Sequence, residues 1–274
     1  MNVRQFFTAS PAPLASFERS TDPLVTFVIV TYGTGPVVVD TLASLAACEL
    51  PCQAEVIVVD NPHPTQATRS ATELTLSTSG VRVLQPSGNL GFGGGCELGA
   101  LHAGGRYLAF VNPDISVTTR WIEPLLETVI DEDTSIVAPI LLDPDGSIQE
   151  IGQRLYASGA TAPNLELPSQ HDDTISVDYS SAACWLMRRD EHERIGGFDP
   201  AYHPAYFEDV DMALRARILG GAVVVHTASR IVHHRGTGTP DQAEPASAQR
   251  DILLETWPHV RWTQPIEPTG RTGI

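Results

Sequence analysis

LVTFVIVTYGTG, residues 24–35, decides the fold. Its first seven residues are apolar or β-branched and do not alternate with polar ones. Such a run predicts a strand over 24–30 that is buried on both faces, as in a parallel sheet covered by helices. A glycine turn follows, and VVVDTLASLAA at 37–47 has helical apolar spacing. AEVIVVD at 54–60 repeats the buried-strand pattern. A polar helix over 65–78, a short strand at 81–85, a helix in CELGALHAG, a strand at 106–114 and a helix at 121–130 continue the rhythm. Strands alternating with helices at this spacing predict βαβ units and an α/β fold.

Beyond residue 135 the rhythm changes. DPDG at 143–146 is a turn between two strand-like runs. Residues 157–174, rich in Pro, Ser, Ala and Asp, read as a loop. YSSAACWLMRR at 179–189 reads as a strand, and RDEHERIGG as a helix stopped by its glycines. YFEDVDMALRA opens a helix that Gly220 and Gly221 close, and AVVVH at 222–226 reads as a last strand. The ending PIEPTGRTGI has the composition of a disordered tail.

Composition narrows the function. The formal net charge of −16 is a poor match for nucleic acid or an anionic membrane, both of which need a basic face. All 17 basic residues are arginine, so lysine nucleophiles and a P-loop lysine are excluded. Cys48, Cys52, Cys96 and Cys184 form no zinc spacing and fit small buried apolar residues in a reducing compartment. No stretch of 18 apolar residues predicts a membrane span, and the first 24 residues lack a signal-peptide pattern.

In open parallel sheets, ligands bind beyond the carboxyl ends of the strands. Thr31-Tyr32-Gly33, Asp60-Asn61, the glycine loop at 88–95 and Asn112-Pro113-Asp114 all fall there. The loop is not a dinucleotide fingerprint, because Cys96 stands where the third glycine belongs. Its glycines suit a tight helix–strand contact or a ligand wall. Asp60 suits a ribose or base contact, or a turn. Asp114 suits a divalent cation shared with phosphates, or an Asx turn. His233 and His234 alternate along an extended segment, so only one can face inward as a ligand. Glu208, Asp209 and Asp211 suit a helix start, where acids complement the dipole, or a catalytic base.

Taken in order, VTFVIVTY, VIVVDN, GNLGFGGGCELG, LAFVNPD, SAACWLMRR, IGGFD, YFEDVDMALRARILGG and RIVHHRGTGT resemble family 2 glycosyltransferases of the GT-A fold. The nearest branch is the bacterial rhamnosyltransferase-like one that uses dTDP-rhamnose. The resemblance implies an α/β, Rossmann-like fold with a mostly parallel sheet flanked by helices and a smaller acceptor-side sheet. It implies one domain over 24–239, with a nucleotide-sugar half at 24–115 and an acceptor half at 116–239. A flexible segment at 1–23 and a tail at 240–274 would flank it.

The resemblance further implies an inverting transfer from a dTDP- or UDP-sugar to a glycan, lipid-linked or small-molecule acceptor, in surface polysaccharide, glycolipid or secondary-metabolite glycosylation. It assigns the base or ribose contact to Thr31, Tyr32, Gly33, Asp60 and Asn61. Asn89, Gly91, Phe92 and Asn112 would lie along the donor. Asp114 and His233 would hold Mg2+ or Mn2+, with His234 the second choice. Ala183, Cys184 and Trp185 would floor the acceptor site beside Glu208. Asp209 would be the general base, kept ionised by its helix N-terminus, and Asp211 would pair with Arg215 as scaffolding. Asn112 replaces the first acid of the family's DxD motif, leaving one carboxylate there. The family places such enzymes in the cytoplasm, soluble or peripheral to the inner face of the membrane. The acidic tail lacks a basic amphipathic helix, which weakens a lipid-linked acceptor. A non-catalytic nucleotide-binding scaffold is the alternative.

Overall fold

A computed structural model describes residues 17, 20–34, 37–48, 50–64, 80–169, 172–235 and 243–258. The helix expected at 65–78, the ending PIEPTGRTGI and most of 1–23 lie outside these residues.

The first half starts with β1 (Val25–Tyr32), α1 (Val37–Ala47), β2 (Ala54–Asn61) and β3 (Arg82–Leu84). It continues through α2 (Gly91–His102), β4 (Tyr107–Val111) and β5 (Ile115–Ser116). Then come α3 (Glu123–Val129), β6 (Thr134–Leu142), β7 (Ile148–Glu150), β8 (Gln153–Leu155), β9 (Thr161–Pro163) and β10 (Thr174–Ser176). The last elements are β11 (Cys184–Arg188), α4 (Arg189–Ile195), α5 (Glu208–Ile218), β12 (Ala222–His233) and α6 (Ala243–Thr256).

The main sheet runs β10-β12-β6-β11-β4-β1-β2-β3, with β5 on β12 and β7 on β6. β3, β2, β1 and β4 are mutually parallel, and β6 and β12 are parallel to each other. β11 runs antiparallel between β4 and β6 and joins the two halves. β8 and β9 form a separate antiparallel pair.

The non-alternating strands are explained by two cores. Val28 and Val30 face one core with Ile57, Val59, Trp185 and the helices α2, α5 and α6. Phe27 and Ile29 face the other with Val56, Val58, Cys184 and the helices α1 and α3. Successive side chains alternate in a strand, so burial on both sides requires every position to be apolar.

The glycine-rich loop is largely the first turns of α2, which begins at Gly91 rather than near Cys96. Cβ atoms at Gly95 and Gly99 would collide with Val30 and Val28. Glycine there lets the α2 backbone lie directly on β1. Arg188 is held by the carbonyls of Val129, Asp131 and Thr134, and so anchors β11 to the end of α3.

Three expectations change. The stretch 157–174 is not all loop: Thr161–Pro163 pairs with β8, and Thr174 to Ser176 pair with β12. These strands depend on distant partners, which local composition does not reveal. AVVVH and RIVH form one 12-residue strand, with a register shift between His226 and Arg230. Finally, the tail carries α6, whose Leu253 is fully buried. Gln249 donates to the His203 carbonyl at 2.8 Å, and Trp257 Nε1 to Asp211 at 2.9 Å, so the tail docks on the start of α5.

Candidate active site

One end of the candidate site is built where β1 and β2 finish. Thr31 Oγ1 donates to Asp60 Oδ1 at 2.9 Å, and Gln85 Nε2 to Asp60 Oδ2 at 3.3 Å. Both donors orient a carboxylate that is almost fully buried. Tyr32 packs edge-on against His63 with ring centroids 4.7 Å apart. Gly33 has φ +66° beneath that ring, where a Cβ would come within 2.6 Å of His63. Only glycine fits so close an approach. His63 and Gln85 belong to this end although no motif pointed to them.

Asn61, Asn89 and Gly91 hold the loop that enters α2. The Asn61 amide donates to the Gly91 carbonyl at 3.1 Å, and its oxygen accepts from Leu90 N at 2.9 Å. Asn89 Oδ1 accepts from Gly91 N at 2.9 Å. Gly91 has φ +72°, and a Cβ there would strike the Pro204 carbonyl. These groups make their contacts inside the protein, so the structure gives Asn61 and Gly91 a bracing role rather than an open face.

Asn112-Pro113-Asp114 leaves the end of β4. Asn112 N donates to the Ala183 carbonyl at 2.8 Å. The Pro113 carbonyl accepts from Thr41 Oγ1 at 2.7 Å, which ties the turn to α1. β12 pairs with β5 in the register His233 to Ile115. That register sets His233 Nε2 3.4 Å from Asp114 Oδ1 and 3.5 Å from Asn112 Nδ2. His234 points the other way and meets Ser116 Oγ at 2.8 Å. Strand alternation thus separates the two histidines.

A cleft of about 350 Å³ opens beside this turn. Asn112, Phe92, Tyr206, Phe207, Glu208 and Asp209 line one part, and Gln153, Thr161, Tyr179, Ser181, Ala182 and Ala183 the other. Asp209 Oδ1 accepts from Val210 N at 2.8 Å, and Oδ2 faces Ala182 N at 3.5 Å. The helix dipole and these amides favour the ionised form. Burial, reinforced by the nearby charge of Glu150, outweighs them and raises Asp209 to about 6. Desolvation is the largest effect on this carboxyl and exceeds the pull of the helix N-terminus. A carboxylate near 6 remains ionised at neutral pH and is a stronger base than an ordinary one.

Glu208 is the first residue of α5 and is buried, with Oε2 making no hydrogen bond. Burial first, and the Asp209 charge second, push its carboxyl well above the usual range. The backbone that presents the pair is strained: Tyr206 and Phe207 have φ +83° and +67°. Aromatic residues rarely adopt this region, and each costs about 1–3 kcal/mol there. Asp211 turns away from the cleft to Arg215, at 2.7 Å, and to Trp257.

Of the expected acceptor floor, only Ala183 lines the cleft. Cys184 and Trp185 are in β11, with Cys184 in one core and Trp185 in the other. Trp185 Nε1 donates to the Ser180 carbonyl, and burial pushes the Cys184 thiol far up. The expected strand started too early: Ser180 to Ala183 form the turn before β11, and Ser181 to Ala183 line the cleft. Glu150 supports that turn from behind, accepting from Ser180 Oγ, Ser181 N and Gln153 Nε2. Glu150, Gln153 and Tyr179 carried no local motif. Their shared site follows from the β6–β7 hairpin and from the bridge between Gln153 and Tyr179.

Asp114 and His233 suit a divalent cation. A histidine nitrogen beside a carboxylate, close to an amide, is a donor set for Mg2+ or Mn2+. Among the described residues no group of three or more His, Cys, Asp or Glu side chains converges. A pair is enough for a cation that takes its other ligands from substrate phosphates and water.

Comparison with known proteins agrees with this architecture. The profile for "Glycosyl transferase family 2" matches residues 26–196. An N-acetylglucosaminyl-diphospho-decaprenol L-rhamnosyltransferase of Mycobacterium tuberculosis is 27% identical, over 90% of this chain and 89% of that one. Mouse polypeptide N-acetylgalactosaminyltransferase 15 is 25% identical over 74% of this chain, which spans only 34% of the mouse protein. Among solved structures, GalNAc-T7 with UDP, GalNAc and Mn2+ aligns with TM-score 0.72 at 16% identity, over 87% of this chain and 49% of that one. A mannosyltransferase from Pyrobaculum calidifontis in complex with GDP-Man and Mn2+ aligns with TM-score 0.57 at 17% identity, over 85% and 64%. At these identities the structural likeness bears on the fold alone, a GT-A fold. The profile covers well over half of the sequence, and so the chain belongs to glycosyl transferase family 2 and is a glycosyltransferase that uses a nucleotide-sugar donor.

Proposed function

We propose that this protein is an inverting, divalent-cation-dependent hexosyltransferase, with L-rhamnose from dTDP-rhamnose as the favoured donor and a sugar hydroxyl as acceptor. One observation carries the reading: Asn112 joins the Asp114–His233 pair to the cleft that holds Asp209. A candidate base therefore lines the cleft, and a candidate phosphate-neutralising pair lies behind Asn112 in its wall. The rhamnose assignment rests on the mycobacterial relative, which matches nearly end to end.

The acceptor hydroxyl attacks the anomeric carbon as the bond to the nucleoside diphosphate breaks. Its proton passes to the Asp209 carboxylate, a contribution of about 10²–10⁴-fold. A single displacement of this kind inverts the anomeric centre. Asp114 and His233 would hold Mg2+ or Mn2+, which when bound supplies charge neutralisation to the departing diphosphate. Thr31, Tyr32, Gly33 and Asp60 would seat the nucleoside, with His63 beside Tyr32. Phe92 and Asn89 would border the donor. Glu208, whose carboxyl burial pushes toward the protonated form, would donate a hydrogen bond to a sugar hydroxyl, and Ser181 to Ala183 would floor the acceptor. Among the described residues the cleft lining has no cationic side chain, which suits an uncharged sugar better than a phosphate. Among the described residues no helix is long and apolar enough to cross a membrane. A cytoplasmic protein, free or peripheral to the inner face of the membrane, is consistent with that reading.

The test is a thermal-shift panel of dTDP-rhamnose, UDP-sugars and GDP-mannose, each with and without Mn2+. The expected result is stabilisation by the dTDP-sugar that needs Mn2+. Stabilisation by none of the nucleotides with any divalent ion would sink the proposal.

A further inference from the structure

We infer that Gln149 is a positioning residue that fixes the ring and tautomer of His233, so that Nε2 presents a lone pair toward Asp114. The inference rests on the proposed cation role of that pair. Gln149 is in β7 and almost fully buried. Its Oε1 meets His233 Nδ1 at 2.8 Å. Its Nε2 donates to Asp143 Oδ1 at 2.7 Å and to the His233 carbonyl at 3.1 Å.

The two acceptors on the Nε2 side decide which way the amide faces. A flipped amide would set its oxygen against a carboxylate and a carbonyl, and leave three acceptors without a donor. With the amide as it stands, Oε1 can only accept, so His233 Nδ1 must carry the proton. A neutral ring then has its lone pair on Nε2, on the Asp114 side. Asn112 Nδ2 at 3.5 Å agrees, since an amide N–H can face a lone pair but not another N–H. Outer-sphere partners of this kind set ligand basicity and orientation, and losing one typically weakens metal affinity about 10–100-fold.

The chain of contacts runs from Asp143, in the turn after β6, through Gln149 to His233. Gln149 and Glu150 are neighbours with different partners around the candidate site. Gln149 reaches His233, while Glu150 holds the turn beside Asp209. One short strand thus supports both the candidate cation ligand and the acceptor floor.

The experiment uses the full chain and Mn2+ alone, followed by electron paramagnetic resonance, beside long-range 1H–15N spectra of His233. Gln149→Met keeps the volume and removes all three hydrogen bonds. It should weaken Mn2+ binding about 10–100-fold and shift the ring from the Nδ1–H form toward Nε2–H. Asp143→Ala, which never touches the ring, should weaken binding by a smaller factor and add nothing in a Gln149→Met background. A folded Gln149→Met protein with unchanged Mn2+ affinity and unchanged tautomer overturns the inference. Asp114→Asn separates the two readings: if it too leaves Mn2+ affinity unchanged, the cation role of the pair has failed. The spectra still decide the tautomer in that case. Should Gln149→Met fail to fold, the Asp143→Ala result decides alone, and unchanged affinity there overturns the inference.

Discussion

His233 Nε2 lies 3.4 Å from Asp114 Oδ1, brought there by the pairing of β12 with β5. The same register turns His234 outward to Ser116. His233→Ala is therefore expected to abolish Mn2+-dependent stabilisation by a nucleoside diphosphate. His234→Ala should retain it within a few-fold. At ligand concentrations about 100 times Kd that stabilisation is about 2.7 kcal/mol, which a melting experiment resolves easily. Equal losses in the two variants would count against His233 as the ligand.

Asp209 titrates near 6 because burial opposes its charge. A base must be deprotonated, so kcat/KM should fall as pH drops through about 6 and level off above it. Asp209→Asn should remove the acidic limb and lower kcat by about 10²–10⁴-fold, with nucleotide binding intact. A profile that is flat from pH 5 to 8 in the wild type contradicts this role.

Glu208 is a second carboxyl whose charge the fold disfavours. Its folded-state value lies above the unfolded one, so the folded protein holds the proton more tightly. Its contribution to stability is present below the ordinary carboxylate range and is lost as pH rises toward the folded-state value. Glu208→Gln should therefore melt higher than wild type at pH 7, and the difference should vanish near pH 4. Melting curves of both proteins from pH 4 to 8 measure it. A variant less stable than wild type at pH 7 would show that Glu208 is held as the anion.

Gly95 is packed on Val30, with a Cβ position 2.7 Å from Val30 Cγ1. Alanine favours helices over glycine by about 1 kcal/mol, which argues for stabilisation. Overpacking a closed core costs about 1–3 kcal/mol and should win, because both β1 and α2 are fixed by other contacts. Gly95→Ala is thus expected to lower stability in urea melts. Gly88, which has nothing within 4 Å of its Cβ position, serves as the control.

How far the site was legible depends on how local its causes are. Thr31 to Gly33, Asp60 and Asn112 to Asp114 follow strands whose burial shows in their composition, and strand ends are where such sheets bind ligands. Cys184 and Trp185 were misplaced by reading a strand a few residues too long. Asn61 and Gly91 have their partners within the fold, which their place after β2 and in the glycine loop does not reveal. Gln149, Glu150, Gln153 and Tyr179 sit in segments with no motif, and only pairing with distant strands gathers them.

The sequence by itself determined the two-sided sheet, the order of strands and helices in the first half, and the acidic start of α5. Those properties are written in periodicity and in residues that act on their own backbone. Tertiary structure alone decided which histidine faces Asp114, that the tail returns as a helix, and that Asp209 titrates near 6. Register, docking and desolvation depend on groups far apart in the chain, and no local pattern encodes them.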